Sequence, residues 1–449
     1  MSDLSENTPA LEARRRRSIF WVVALSTAAL VFDGYDLVVY GTVVPTLLAD
    51  PTQLGAISPE RAGTLGSYAL LGVLVGALAA GVVGDRIGRR KVMLVNLAWF
   101  SVGMAVTATT ESVQTFGLFR FLTGIGVGAL VATVGALVAE FAPAGQRNRY
   151  NAIVYSGIPA GGVLAALVAL GFADTIGWRG LFWVGALPIV VVLPLAVRYL
   201  PESPKWLVAR GRLEEAQRVS QRTGIPVPVA EPTQDRVGFP ALATREYAGP
   251  TLLLGLMSFA GLLLTYGLNT WLPQIMGEQG YGKGYALAFL LVLNLGAIAG
   301  GLAASYVADR VGARRVVVTT FVLAAITLSL LPLHLPFGLL LAAVAVAGLG
   351  TIGTQVLIYG LVSNYYPTTA RAAGVAWCAG FGRLGGIVGP IIGGVLVGAG
   401  VAGTTAFYLF AGISLAGAAV TSLVPRPRSL AVAGQDSGAL VVGRSTVSA

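Results

Sequence analysis

Long apolar runs broken by short polar segments fill most of the chain from Ile19 to Val424. A helix needs ~20 such residues to cross ~30 Å of hydrocarbon. Runs closed by charges or by Pro/Gly-marked breaks predict twelve spans. The first six cover about 19–48, 62–83, 92–110, 114–139, 151–171 and 180–198. The second six cover about 249–273, 285–308, 316–332, 337–361, 372–397 and 404–424. Spans one and four are long enough to tilt or protrude. A polar segment, 199–248, separates the two sets. Within it Leu207 to Arg222 reads as a short amphipathic helix on the membrane surface, and Pro226 to Pro240 as a flexible linker. Residues 426–449 lack a sustained apolar face and read as a disordered tail. The predicted organisation is an N-terminal segment (1–18), a six-helix bundle (19–198), the linker (199–248), a second six-helix bundle (249–425) and the tail. The fold class is all-α and polytopic.

Composition supports a bilayer. Of 449 residues, 55% are hydrophobic and 11% charged, with a mean hydropathy of +0.77, whereas soluble domains carry roughly a quarter charged residues. Sixty glycines suit closely packed membrane helices. One cysteine excludes a disulfide framework, and one histidine leaves little for zinc, so no metal or other cofactor is expected. The net charge of +10 invites a nucleic-acid reading. Its distribution argues otherwise, because the basic residues fall in short clusters between apolar runs. With the N-terminus in the cytoplasm, only Arg61, Arg179 and Lys283 of the 30 Lys and Arg residues fall outside, and Arg120 and Arg383 lie within spans. That asymmetry places both termini in the cytoplasm. The apolar run after Arg17 is too long for a signal-peptide core and is read as the first span.

An internal repeat supports the six-plus-six split. Gly84-Asp85-Arg86-Ile87-Gly88-Arg89-Arg90 follows span two, and Ala308-Asp309-Arg310-Val311-Gly312-Ala313-Arg314 follows span eight, at an offset of 224. Arg147 recurs at Arg371, and Gly161-Gly162 at Gly385-Gly386. Parallel repeats of this kind build two bundles around a central cavity that opens alternately to either side.

The repeated loop resembles the signature of the major facilitator superfamily, Gly-x-x-x-Asp-Arg-x-Gly-Arg-Arg, running here from Gly81 through Arg90. The second copy departs from it at Ala313. Pro201-Glu202-Ser203-Pro204-Lys205-Trp206-Leu207 resembles the segment after span six in sugar and organic-ion porters. Phe32-Asp33-Gly34-Tyr35-Asp36 in span one is similar to the Asp-Gly-x-Asp pair of the aromatic acid:proton symporters. The resemblance covers Arg17 to about Arg426. It implies uptake of a benzoate-like or hydroxybenzoate-like anion with protons as the coupling ion. It also implies that Arg120, which opens Arg120-Phe-Leu-Thr-Gly-Ile-Gly-Val-Gly128, belongs to the span-four motif linked to proton coupling.

The intramembrane charges carry the physics. Asp33 lies ~22 Å along a helix entered from the cytoplasm, Asp36 one turn further, and Arg383 ~17 Å into span eleven. A charge at that depth costs at least ~2.5–3.5 kcal/mol unless paired or hydrated. These groups therefore line the cavity or pair within it. Asp33 and Asp36 share a helix face, and two close carboxylates in a poorly hydrated site disfavour double ionisation, so one is poised to carry a proton. The sequence leaves open which one, and whether the pair serves packing instead. Arg383 offers a planar fork matched to a substrate carboxylate, with a structural counter-ion as the alternative. For Arg120, coupling and structural pairing are equally open.

Trp377 and Phe381 stand one turn apart on the helix of Arg383 and offer a stacking surface for an aromatic ring. Tyr40, Tyr155, Tyr266 and Tyr359 are further candidates, with Gln355 as a hydrogen-bonding partner. Asn269 and Asn294 suit helix–helix bonding better. Gly84, Asp85, Arg86, Gly88, Arg89 and Arg90, with Glu140, Asp309 and Arg310, read as a conformational latch at the cytoplasmic ends of the spans. The expected protein is a monomeric, proton-coupled carrier in the cell membrane and not an enzyme. Its partners are a small aromatic carboxylate, protons and the bilayer, without nucleic acid. Sugar or organic-ion porters and drug/proton antiporters are the rival readings.

Overall fold

The computed structural model describes residues 8–143, 146–227, 239–333, 335–366, 368–400 and 402–425, and every regular element among them is a helix. The expected tail at 426–449, His334 and the side chains of Asp85 and Arg147 lie outside the described residues.

α1 (Thr8–Ala49) starts well before the predicted first span. Its leading Ala, Leu, Glu and Arg residues are strong helix formers and extend the helix out of the apolar layer. α2 (Pro59–Ile87) is capped by Ser58, which accepts from the Arg61 N–H at 3.4 Å, with Pro59 in the first turn. α3 (Arg89–Ala108) and α4 (Val113–Phe141) follow. The fifth span is α5 (Arg147–Tyr155) continued by α6 (Gly157–Gly185). α6 is not straight: Gly177 takes φ 65° and ψ −178°, so the chain reverses there and Trp178 begins the sixth span.

The sixth span differs from the single helix expected at 180–198. A 3-10 turn at Leu187–Ile189 interrupts it before α7 (Val192–Tyr199), because Pro188 cannot donate to the preceding turn. Among the described residues eleven helices are long and apolar enough to span a membrane, and a shorter apolar piece is Leu187–Tyr199. The linker also departs from expectation. Instead of one helix from Leu207 to Arg222, it forms α8 (Pro204–Ala209) and α9 (Leu213–Thr223). Gly211, at φ 72°, breaks the two apart. Trp206, Leu207 and Ala216 bury together, giving this hairpin a small core of its own.

The second half comprises α10 (Ala248–Glu278), α11 (Lys283–Val311), α12 (Ala313–Leu330), α13 (Phe337–Gly348), α14 (Thr354–Tyr365), α15 (Thr368–Gly398) and α16 (Ala402–Leu423). A π turn at Leu349–Gly353 joins α13 to α14 as one span. The internal repeat reappears as packing. Spans one and five pair in the first bundle (α1 with α6), as do two and four (α2 with α4). The equivalent pairs recur in the second (α10 with α15, α11 with α13).

Between bundles, α1 meets α10, α2 meets α15 and α6 meets α11. The close approaches lie toward the face opposite the linker helices. Ser67 Oγ donates to the Ile387 carbonyl at 2.6 Å, and the Lys283 ammonium pairs with Asp174. Gly41 packs backbone to backbone, since a Cβ there would sit 1.9 Å from the Asn269 carbonyl oxygen. A Gly41→Val chain is therefore expected to hold the bundles apart at this face. With a Ser67→Cys reporter in the same chain, thiol labelling from that side should rise at least ~10-fold while substrate uptake collapses. Unchanged labelling and uptake would show that this contact does not form a seal.

Candidate functional site between the bundles

The site is built from the middle of α1 outward. Asp33 and Asp36 lie one turn apart, and Gly34 between them lets the helix press against the fifth span, where a Cβ would stand 1.9 Å from the Ile158 carbonyl oxygen. The glycine of the Asp-Gly-x-Asp pair thus seats α1, and the two carboxyls flank that contact. Both are buried, at 2% and 1% exposure.

Their surroundings separate them. Asp36 forms a salt bridge through Oδ1 to Nη1 of Arg120, which is itself buried. The Arg120 guanidinium lies 5.2 Å from the Tyr40 ring and 5.8 Å from Phe182. Aromatic faces supply part of the stabilisation that water would otherwise give. The Tyr40 hydroxyl donates to the Ala62 carbonyl at 2.6 Å. Tyr40, expected among the substrate ligands, therefore belongs to the Asp36–Arg120 group.

Among the described residues Asp33 has no such partner. Its Oδ1 is buried without a hydrogen bond, and the charges near enough to act on it are Arg383 and Asp36. Arg383 comes from α15 across the bundle boundary and is partly exposed. Tyr155, Tyr266 and Tyr359 all lie within electrostatic reach of it. Among the described residues no group hydrogen-bonds the Arg383 guanidinium. Gln355 Nε2 donates to Ser258 Oγ at 2.9 Å, while Gln355 Oε1 is buried without a partner. The fold thus gathers Asp33, Arg383, three tyrosines and Gln355 from five spans. Ser258, the one hydroxyl in the apolar stretch 252–264 of α10, joins them and was not anticipated. Its polarity inside that run was the available signal.

Trp377 and Phe381 do stand beside one another, with ring centroids 5.4 Å apart at 25°. They serve the second bundle. Trp377 Nε1 donates to the Thr251 carbonyl at 3.1 Å, and Phe381 packs on Phe259. Each keeps a partly open face. Asn294 donates to Asn269 Oδ1 at 3.0 Å, a helix–helix bond as expected.

Of the residues expected to form a latch, Arg89 and Glu140 meet at the linker face. Arg89 Nε lies 3.6 Å from Glu140 Oε1. Arg90 donates through Nη2 to the Val197 carbonyl at 2.6 Å. Gly88, at φ 102°, turns the chain from α2 into α3, and a Cβ on Gly84 would touch Arg89 Nη1 at 3.1 Å. Arg86 is exposed. Sequence reasoning overlooked Glu202, whose Oε1 accepts the Arg90 backbone N–H at 3.1 Å and so caps α3. In the second half, Asp309 and Arg310 are exposed, Arg310 sits over the Tyr306 ring at 4.2 Å, and among the described residues neither pairs with Glu140.

On the opposite face Gln53 braces three loops. Its Oε1 accepts from Trp178 Nε1 at 2.9 Å and from Arg179 at 3.3 Å, while Arg179 also reaches the Thr110 carbonyl. Hydrogen bonds from Gln53 and Thr52 hold the Asp50 carboxyl below the usual carboxylate range.

Two repeated six-helix bundles with charged side chains buried at their junction define a membrane transporter. The chain belongs to the major facilitator superfamily, whose family model matches residues 26–303 and 289–446. It is 34% identical to the benzoate transport protein of Acinetobacter baylyi, over 84% of this chain and 83% of that protein. It is also 34% identical to the gentisate transporter of Corynebacterium glutamicum, over 88% and 85%. The 4-hydroxybenzoate transporter PcaK of Pseudomonas aeruginosa is 31% identical over 85% and 87%. The inward-open xylose transporter XylE of E. coli shares the fold, with a TM-score of 0.72 and 18% identity over 91% of this chain and 96% of that one. The protein is a multi-pass membrane transporter and not an enzyme.

Proposed function

We propose that the protein takes up an aromatic carboxylate together with a proton by alternating access. The observation that carries this reading is Arg383, a guanidinium at the bundle boundary that no described residue hydrogen-bonds, ringed by tyrosines and opposed by the unpartnered carboxyl of Asp33. Relatives named for benzoate, gentisate and 4-hydroxybenzoate support the same substrate class. A neutral sugar has no carboxylate for that fork.

The basic clusters of Arg14–Arg17, Arg86–Lys91 and Arg310–Arg315 all lie toward the linker face, which favours that face as cytoplasmic. The sealed face is then the outside. In the outward state an entering anion and an ionised Asp33 compete for Arg383. Protonation of Asp33 removes the competitor, and the substrate carboxylate pairs with the guanidinium while its ring meets Tyr155, Tyr266 and Tyr359. Arg383 and the anion cancel in charge, so the loaded site crosses the apolar layer at lower cost than either alone. On the inner side the proton leaves, Asp33 again draws Arg383, and the substrate is displaced. Asp36 and Arg120, paired to one another, keep the neighbouring turn of α1 in place.

In liposomes under an inward proton gradient, the protein should accumulate benzoate, gentisate or 4-hydroxybenzoate faster than protein-free liposomes. Collapse of the gradient should remove that difference. Gradient-independent uptake of neutral sugars alone would overturn the proposal.

A further inference from the structure

At the linker face, apart from the central site, a cavity of about 600 Å³ opens between α1, α7 and α9. Four arginines line it: Arg14 and Arg17 from α1, Arg198 from α7 and Arg222 from α9. Among the described lining residues none is acidic. Arg14 donates to the Gln221 carbonyl at 3.4 Å, and Arg198 Nε to the Tyr199 hydroxyl at 3.2 Å. These two bonds leave most of the guanidinium donors free, and among the described residues Arg17 and Arg222 have no hydrogen-bond or ion-pair partner. Four like charges around one hollow repel unless an anion is shared between them.

The wall and mouth of the cavity indicate the kind of anion. Trp21 and Tyr199 stack inside it, with centroids 4.1 Å apart and planes 5° from parallel. This is the aromatic pairing expected at headgroup depth. Beside them Phe20 is 62% exposed and Val197 50% exposed, so an apolar surface continues from the arginines toward the hydrocarbon. A free phosphate ion would use the guanidinium fork alone. A phospholipid would use both parts, with its phosphate among the arginines and an acyl chain along Phe20 and Val197.

The geometry points to a binding site for the headgroup of an anionic phospholipid, shared by α1, α7 and α9. Its phosphate bridges the first helix, the end of the sixth span and the linker, and so fastens the α8–α9 hairpin to the first bundle. The site is independent of the substrate reading, because it uses none of the residues around Asp33 and Arg383.

The test is native mass spectrometry of the full chain in a neutral detergent, titrated with phosphatidylglycerol, phosphatidylcholine or inorganic phosphate. The wild-type chain is expected to retain one phosphatidylglycerol at least ~10-fold more tightly than phosphatidylcholine. In Arg17→Gln/Arg198→Gln/Arg222→Gln that preference should vanish, while Arg315→Gln, an exposed arginine elsewhere, should keep it. If the triple variant does not fold, Arg198→Gln alone should weaken retention ~3–10-fold. Equal retention of the two lipids by the wild type would overturn the proposal, as would undiminished retention by the variants. Displacement of the lipid by inorganic phosphate at equal concentration would assign the site to a free anion instead, and displacement by benzoate would assign it to a substrate vestibule. Either outcome refutes the lipid assignment.

Discussion

Replacing Arg383 with alanine is expected to weaken benzoate binding by roughly 30- to 1,000-fold. That range corresponds to the ~2–4 kcal/mol lost when one partner of a desolvated, hydrogen-bonded charge pair is removed. The substrate carboxylate would then face Asp33 and three phenols with no cation in reach, and uptake should fall to background. Arg383→Lys should recover part of the affinity, because an ammonium restores the charge without the bidentate fork. Equilibrium binding to the purified variants, with folding checked by size exclusion and thermal unfolding, measures both effects. Binding by Arg383→Ala within threefold of the wild type would show that the guanidinium is a structural counter-ion only.

Asp33→Asn should separate binding from energy coupling. Two pH units store about 2.7 kcal/mol per proton, which supports ~100-fold accumulation when one proton moves with each anion. The amide neither ionises nor competes for Arg383, so the variant should bind substrate at least as well as the wild type. It should exchange labelled for unlabelled substrate across the membrane yet reach no more than equal concentrations on the two sides. Asp36→Asn should behave differently, since it strips the buried Arg120 of its carboxylate. An unpaired buried charge destabilises by about 3–5 kcal/mol, so a lower unfolding temperature should accompany the loss of transport. If Asp33→Asn still concentrates its substrate under a proton gradient, the coupling role assigned to Asp33 is wrong.

These two carboxyls show how far the chain could be read without its fold. Their depth in the membrane and their shared helix face followed from counting residues, as did the prospect of an unusual proton affinity. Their division of labour did not, because it depends on which neighbour each one meets. Asp36 meets Arg120 from the fourth span, 84 positions away, and Asp33 faces Arg383, 350 positions away. No local pattern encodes such distances. The same limit explains Tyr40, which was grouped with the substrate ligands because its span lines the cavity. Its ring instead lies 5.2 Å from the Arg120 guanidinium, and its hydroxyl bonds the Ala62 carbonyl. The spacing of Trp377 and Phe381 puts both on one helix face, where their rings lie 5.4 Å apart, but their hydrogen bond and packing partners within the second bundle were decided by helix rotation.

The breaks in the helices divide along the same line. Pro188 interrupts the sixth span and Gly211 splits the linker helix, and both residues announce a possible break by type. Whether the chain uses that option depends on the packing around it. Pro273 and Pro390 sit inside unbroken helices.

By itself, the amino-acid order determined a helical membrane protein of two repeated halves. In hydrocarbon every backbone polar group must be satisfied within its own segment, so hydropathy and charge placement specify spans directly. Tertiary structure alone decided where the bundles meet closely, which carboxyl is paired and which buried arginine pairs it. Those outcomes turn on contacts between distant spans, where a rotation of one helix by a fraction of a turn exchanges one partner for another.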